Sequence, residues 1–249
     1  MFTAAAFIPG PPLLVPELAN AAAAESADLR RAVLDVAGEL GLRSERWVVI
    51  GVDERPGQVP VHTGADAIGT FRGFGVDVRV TLAPPAVSAS NPKLPAPDRN
   101  MPLPALIAGW VRGAAAPECR CEVEYVPADA SAEVAAAIGR RLRTQLDAAG
   151  ERVGVLIVAD GASALTERAP KAYDERAADF EDALAQALDT GDVKWLAALD
   201  ERLCTALGAC TRAAWQVLGA LFHDGVAAVE RRFDCAPYGV GYHTGVWLP

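Results

Sequence analysis

Histidine, lysine and methionine are scarce in this chain of 249 residues: His62, His223 and His243 are its only imidazoles, and lysine and methionine occur three and two times. Lysine and arginine together number 23 against 32 aspartates and glutamates, a formal net charge of −9. A chain this acidic has no general means of displacing counterions from a phosphate backbone, which argues against nucleic acid as a partner. Five cysteines are too few for a disulfide scaffold, and an odd number leaves at least one unpaired, so a reducing cytoplasm fits best. Long apolar runs are missing as well. Met1 to Ile8 is apolar, but no basic residue precedes it and Pro9, Pro11 and Pro12 end it, which argues against a signal peptide, a membrane span and a membrane partner. The glycines from Gly69 to Gly75 lack the Gly-Lys-[Ser/Thr] of a phosphate loop. No dinucleotide fingerprint follows the first strand, and no Gly-x-Ser-x-Gly elbow marks a serine hydrolase.

What is present is the pattern of a folded α/β chain. Hydrophobic residues make up 51% and charged residues 22%, ordinary globular usage. At roughly 150 residues per domain the length suits one large domain spanning residues 1–249. Thr3 to Ile8 predicts a short buried strand. Leu29, Val33, Val36 and Leu40 recur at helical spacing between Leu18 and Leu40, with Gly41 as the expected stop. Trp47 to Ile50 predicts a second buried strand, and the alternation of Val76, Val78, Val80 and Leu82 a strand near a sheet edge with one wet face. Prolines between Ala83 and Pro104 predict a loop inside the domain. An alanine-rich helix (Leu103 to Ala116), a strand (Cys121 to Val126), a helix (about Ser131 to Ala149) and a strand (Val153 to Val158) follow. Three helical segments, with stripes at Phe180/Leu184/Leu188, Leu196/Leu199/Leu203/Leu207 and Trp215/Leu218/Phe222/Val226, lead to a glycine-containing final strand from Tyr238 to Trp247. This order predicts a three-layer α/β/α fold with a mixed, mostly parallel central sheet.

Ligands of such sheets bind beyond the carboxyl ends of the parallel strands. Three junctions therefore matter: Pro9-Gly10-Pro11-Pro12, Gly51-Val52-Asp53-Glu54-Arg55 and Ala159-Asp160-Gly161-Ala162-Ser163. Gly10, Asp53, Glu54, Asp160 and Ser163 are the candidate pocket residues. The three carboxylates suit paired acid and base chemistry or an oxygen-rich cation site. Asp160 before Gly161 reads more readily as a tight turn, and Ser163 as a helix cap. His223 beside Asp224 reads as a cap at a helix end. His62 and His243 are read as loop residues, with a metal set of His62, His243 and Asp53 possible only where the loops converge. Cys119/Cys121 and Cys204/Cys210 lack zinc-ligand spacing and read as buried thiols.

Several stretches carry a resemblance. Pro9-x-Pro11-Pro12-Leu13-Leu14-Val15-Pro16-Glu17, Met101-Pro102-Leu103-Pro104, Asp160-Gly161 with Thr166-Glu167-Arg168-Ala169-Pro170, Ala214-Trp215-Gln216-Val217-Leu218, and Ala236-Pro237-Tyr238-Gly239-Val240-Gly241-Tyr242 span most of the chain. Together they resemble the class III extradiol ring-cleavage dioxygenase family, which includes the Memo-like proteins. The resemblance implies Fe(II) held by two histidines and a carboxylate, open to a catechol and O2, with a further histidine moving protons. It also implies that the first histidine falls at Gly10, the second at about Asp53 and the acid-base histidine near Ser163. A hydrogen atom cannot ligate iron. The leading expectation is therefore a degenerate iron site that binds a small molecule or a partner without ring cleavage and without a cofactor. The alternative is an Fe(II) ring-cleaving dioxygenase or related metal-dependent enzyme whose ligands have moved to Asp53, His62, Asp160 or His243. Active members that work with a partner chain or as oligomers imply a possible homo-oligomer.

Overall fold

The computed structural model describes residues 1–19, 24–53, 62–85 and 96–249. Its frame is a seven-stranded mixed sheet built from β1 (Phe2–Ile8), β2 (Arg46–Val52), β3 (His62–Thr63), β6 (Arg120–Val126), β7 (Val153–Val158), β8 (Ala228–Cys235) and β9 (Tyr242–Leu248). Across the sheet the order is β3-β6-β2-β7-β1-β9-β8. The four central strands β6, β2, β7 and β1 run parallel, while β3, β9 and β8 join antiparallel at the two sides. The strands β4 (Ile68–Thr70) and β5 (Arg79–Thr81) form a separate two-stranded ribbon.

Helices cover both faces, giving the three-layer arrangement. A short α1 (Pro16–Ala19) follows the proline run after β1. Ala4, Ala6 and Ile8 of β1 pack with α2 (Ala27–Arg43) and α3 (Leu103–Ala115) on one face. Ala5 and Phe7 point the other way. There they meet the layer of α4 (Ala132–Asp147), α5 (Arg176–Thr190), α6 (Val193–Ala197), α7 (Glu201–Leu207) and α8 (Arg212–Leu221). Phe7 stands edge-on to Trp215 and Trp247, with ring centroids 5.8 and 6.4 Å away. Each fully buried large side chain of this kind contributes roughly 1.5–3 kcal/mol. No helix among the described residues is long and apolar enough to cross a membrane.

Several boundaries differ from the sequence reading. Gly41 does not stop α2, which continues to Arg43. A Cβ there would stand 2.6 Å from Ala116 Cβ, so this glycine admits the end of α3 rather than terminating a helix. The Val76–Leu82 alternation gives only the three residues of β5, paired with β4 and not with the main sheet. Phe71–Phe74 is a 3-10 turn closed by Gly75 at φ +99°, and it takes the residues before β5 out of the ladder. The stripe from Leu196 to Leu207 is two helices because Asp200 caps α7, its carboxylate accepting the Leu203 N–H at 2.7 Å. Ser131 caps α4 in the same manner. Of the proline-rich loop, residues 86–95 lie outside the described residues.

Candidate functional site

The parallel strands end together. Ile8 is in register with Val158, and Val158 with Gly51, so the residues just beyond β1, β2 and β7 share one rim of the sheet. A cavity of about 590 Å3 opens there. Gly10, Asp53 and Asp160 line its floor with Val52 and Val158, and Thr211 joins them from the start of α8. Met101, Leu103 and Pro104 at the entrance of α3 form an apolar wall, while Phe74, Arg99 and Asn100 complete the rim. That rim is fixed by backbone: Asp98 N donates to Ile68 O at 2.8 Å, Thr70 N to Asp98 O at 3.1 Å, and Asn100 N to Asp98 Oδ1 at 2.7 Å. Phe74 remains 43% exposed, an aromatic face at the opening.

Asp160 is pinned on every side. Its N–H donates to Thr211 Oγ1 at 2.9 Å, while its carbonyl accepts from Thr211 Oγ1 at 2.8 Å and from Trp215 Nε1 at 3.0 Å. Its Oδ1 accepts the Gly10 N–H at 2.9 Å. Asp160 is thus no local turn residue, because its carboxylate closes the end of β1 from across the sheet. Nor does Gly161 supply a positive φ. Its missing Cβ makes room for the Glu181 carboxylate, which a side chain at 161 would overlap. Burial, with the Asp160 carboxylate close by, raises the Tyr242 phenol well above its ordinary value. Asp53 is 6% exposed and lines the same floor.

The other sequence candidates lie elsewhere. Ser163 does not line the cavity: its Oγ donates to Gly208 O at 3.1 Å and ties the loop to the end of α7. Glu54 lies outside the described residues. His62 is on β3 at the sheet edge, opposite Glu124 in the ladder, with Nε2 3.6 Å from Glu122 Oε2. His223 follows α8, its Nδ1 3.3 Å from Ala220 O, which is the capping position expected for it. His243 is on β9, 3% exposed, with Nε2 2.8 Å from Glu181 Oε2. The structure therefore does not gather His62, His243 and Asp53.

An Fe(II) site of two imidazoles and a carboxylate does not fit the residues present: the floor of the cavity offers carboxylates and no histidine lines it. Among the described residues no three His, Cys, Asp or Glu side chains stand close enough to hold a metal ion. What the arrangement offers is an amphipathic pocket, with hydrogen-bond acceptors at one end and an apolar wall at the other.

Glu181 escaped the sequence reading. Its Oε1 accepts the Ala162 N–H and its Oε2 pairs with His243. Gly161 N donates to Gly241 O at 2.8 Å and Gly241 N to Ala162 O at 2.9 Å, so Glu181 and the 239–241 segment together clamp the turn that carries Asp160. A signal was available. Ala177, Phe180, Glu181, Leu184 and Leu188 form the buried stripe of α5, and a carboxylate on such a stripe needs a buried partner. Nδ1 of His243 is buried with no hydrogen-bond partner, a condition that costs about 1–3 kcal/mol.

No protein-family model matches this chain, and no curated protein matches it. Among solved structures it is similar to an uncharacterized protein, JW3007, from Escherichia coli K12. The two are 11% identical over 99% of this chain and 100% of that one, with a TM-score of 0.52, a likeness of fold.

Proposed function

We propose that this chain is an extradiol-dioxygenase-like protein whose rim cavity binds a small molecule without oxidising it. The ligand class that suits the cavity is an apolar ring or chain bearing hydroxyl or amino donors. Such a molecule lays its body on Met101, Leu103, Pro104 and Phe74 and directs its donors to Asp53 and Asp160. The observation that carries the reading is the floor itself. At the two positions where the family resemblance puts iron-binding imidazoles stand Gly10 and Asp53, and both line the cavity beside Asp160. The five free thiols fit a reducing cytoplasm as the place of action.

The test uses untagged full-length protein incubated anaerobically with Fe(II), freed of loose metal, and exposed to catechol and O2. Substoichiometric iron and no ring-opened product are expected. Calorimetry with catechol and with 2-aminophenol is expected to show saturable binding that Leu103→Trp, by filling the apolar wall, abolishes. Stoichiometric iron together with ring-opened product would overturn the reading, as would binding that Leu103→Trp leaves unchanged.

A further inference from the structure

A second cavity, of about 250 Å3, lies between α5 and the β8–β9 pair. Glu181, Asp182, Asp234 and His243 line it, and no lysine or arginine is among its lining residues. Carboxylates by themselves would say little, since Asp182 and Asp234 are exposed. His243 sets this cavity apart. Its side chain is 4% exposed, Glu181 Oε2 holds Nε2 at 2.8 Å, and Nδ1 is buried without a partner. A carboxylate can only accept, so Nε2 carries the proton of the neutral ring and Nδ1 keeps its lone pair. Buried acceptors are almost always satisfied in native proteins, and this one belongs to a residue on a cavity wall.

The missing partner is therefore a donor that enters from the cavity, and the surrounding carboxylates select a cationic one. A metal ion would use the same lone pair, and a ligating histidine usually has such a carboxylate behind it. An ion also needs several further donors at about 2 Å, and the described residues form no such group here. A protonated amine needs one good acceptor and nearby negative charge. At about 30 Å3 per water molecule, the cavity has room for roughly eight waters, the size of a small organic molecule.

We propose that this cavity is a binding site for a small primary amine, whose ammonium N–H is accepted by His243 Nδ1 while Asp182 and Asp234 supply the countercharge. The site is independent of the rim cavity and of its proposed ligand.

The experiment follows the imidazole nitrogens of the full-length protein, labelled with 15N-histidine, by NMR at pH 8. Methylammonium chloride is expected to move the His243 Nδ1 resonance saturably and to leave His62 and His223 unmoved. Tetramethylammonium chloride, which has the charge and no N–H, is expected to do nothing at the same concentrations. In the Asp182→Asn and Asp234→Asn variants, whose fold is verified by unchanged His62 and His223 signals, affinity should fall about five-fold for each charge removed. No saturable shift with methylammonium, an equal shift with tetramethylammonium, or a response to zinc chloride in place of methylammonium would each overturn the proposal.

Discussion

Asp160 Oδ1 accepts the backbone N–H of Gly10 at 2.9 Å, so the carboxylate at the end of β7 completes the hydrogen bonding of β1 beyond its last ladder residue. Gly10 is buried, and removing its acceptor leaves a desolvated N–H. Asp160→Ala should lower the unfolding free energy by about 1–3 kcal/mol, whereas Asp160→Asn, which keeps an oxygen in place, should cost less than about 1 kcal/mol. Urea denaturation at pH 7 distinguishes the two. Equal losses would mean that the negative charge, not the hydrogen bond, does the stabilising.

At Gly10 itself the obstacle to a side chain is packing. A Cβ would lie 3.1 Å from Val158 Cγ1 and 3.9 Å from Asp160 Oδ2, and the backbone there is not left-handed. Gly10→His should therefore fold, with an overpacking penalty of about 1–3 kcal/mol. Its imidazole would enter the cavity beside Asp160. Failure of this variant to fold under conditions where Gly10→Ala folds normally would show that the floor is too crowded for the ancestral ligand.

The Glu181–His243 pair should behave as a coupled unit. Glu181→Ala strands both the Ala162 N–H and the His243 ring, so a loss of about 3–5 kcal/mol is expected. Glu181→Leu combined with His243→Phe removes both polar partners and should lose less than the two single changes added together. A double-mutant cycle measured by denaturation reads the difference directly, and additivity would show that the two side chains stabilise the fold independently.

How much of this was legible in sequence follows from which signals are local. The continuous apolar runs at Trp47–Ile50 and Val153–Val158 marked central strands because only strands covered on both faces are apolar at every position. With those strands fixed, the residues following them had to converge, which is why Gly10, Asp53 and Asp160 could be named together. β8 was missed because Glu230, Arg231, Arg232 and Asp234 interrupt its apolar residues, as an outermost strand with a solvated side permits. Ser163 follows the same junction as Asp160 but turns away, since its orientation is set by Gly208, a residue far along the chain. Arg99, Asn100 and Thr211 reach the cavity through long-range hydrogen bonds at Asp98 and Asp160, and no sequence pattern announces those.

Thiol reactivity should follow burial rather than position in the chain. Burial pushes the Cys121 thiol up to about 12 and the Cys204 thiol up to about 11, and burial with the neighbouring Asp234 charge takes Cys235 to about 11. Cys210 is exposed. Iodoacetamide at pH 8, followed by mass spectrometry, should modify Cys210 first, Cys235 slowly, and Cys121 and Cys204 only after denaturation. Modification of Cys121 in the folded protein at the rate of Cys210 would mean that β6 opens readily.

A final prediction concerns acid. Glu151 joins the start of β2 to that of β6, its carboxylate accepting from Arg46 Nε at 2.7 Å and from Arg120 Nη2 at 2.8 Å. The Arg46 hydrogen bond, aided by the Arg120 charge and opposed by partial burial, holds its carboxyl below the ordinary 4.5. The unfolded chain therefore takes up a proton here at higher pH than the folded one. The stabilisation is complete above about pH 4.5 and fades as the pH falls through the lowered folded value. Urea midpoints of the wild type and Glu151→Gln should differ by a constant amount between pH 7 and pH 5 and converge as the pH falls toward 3. A gap that widens on acidification would require Glu151 to be held above its ordinary value, the reverse of what two guanidinium groups at hydrogen-bond distance produce.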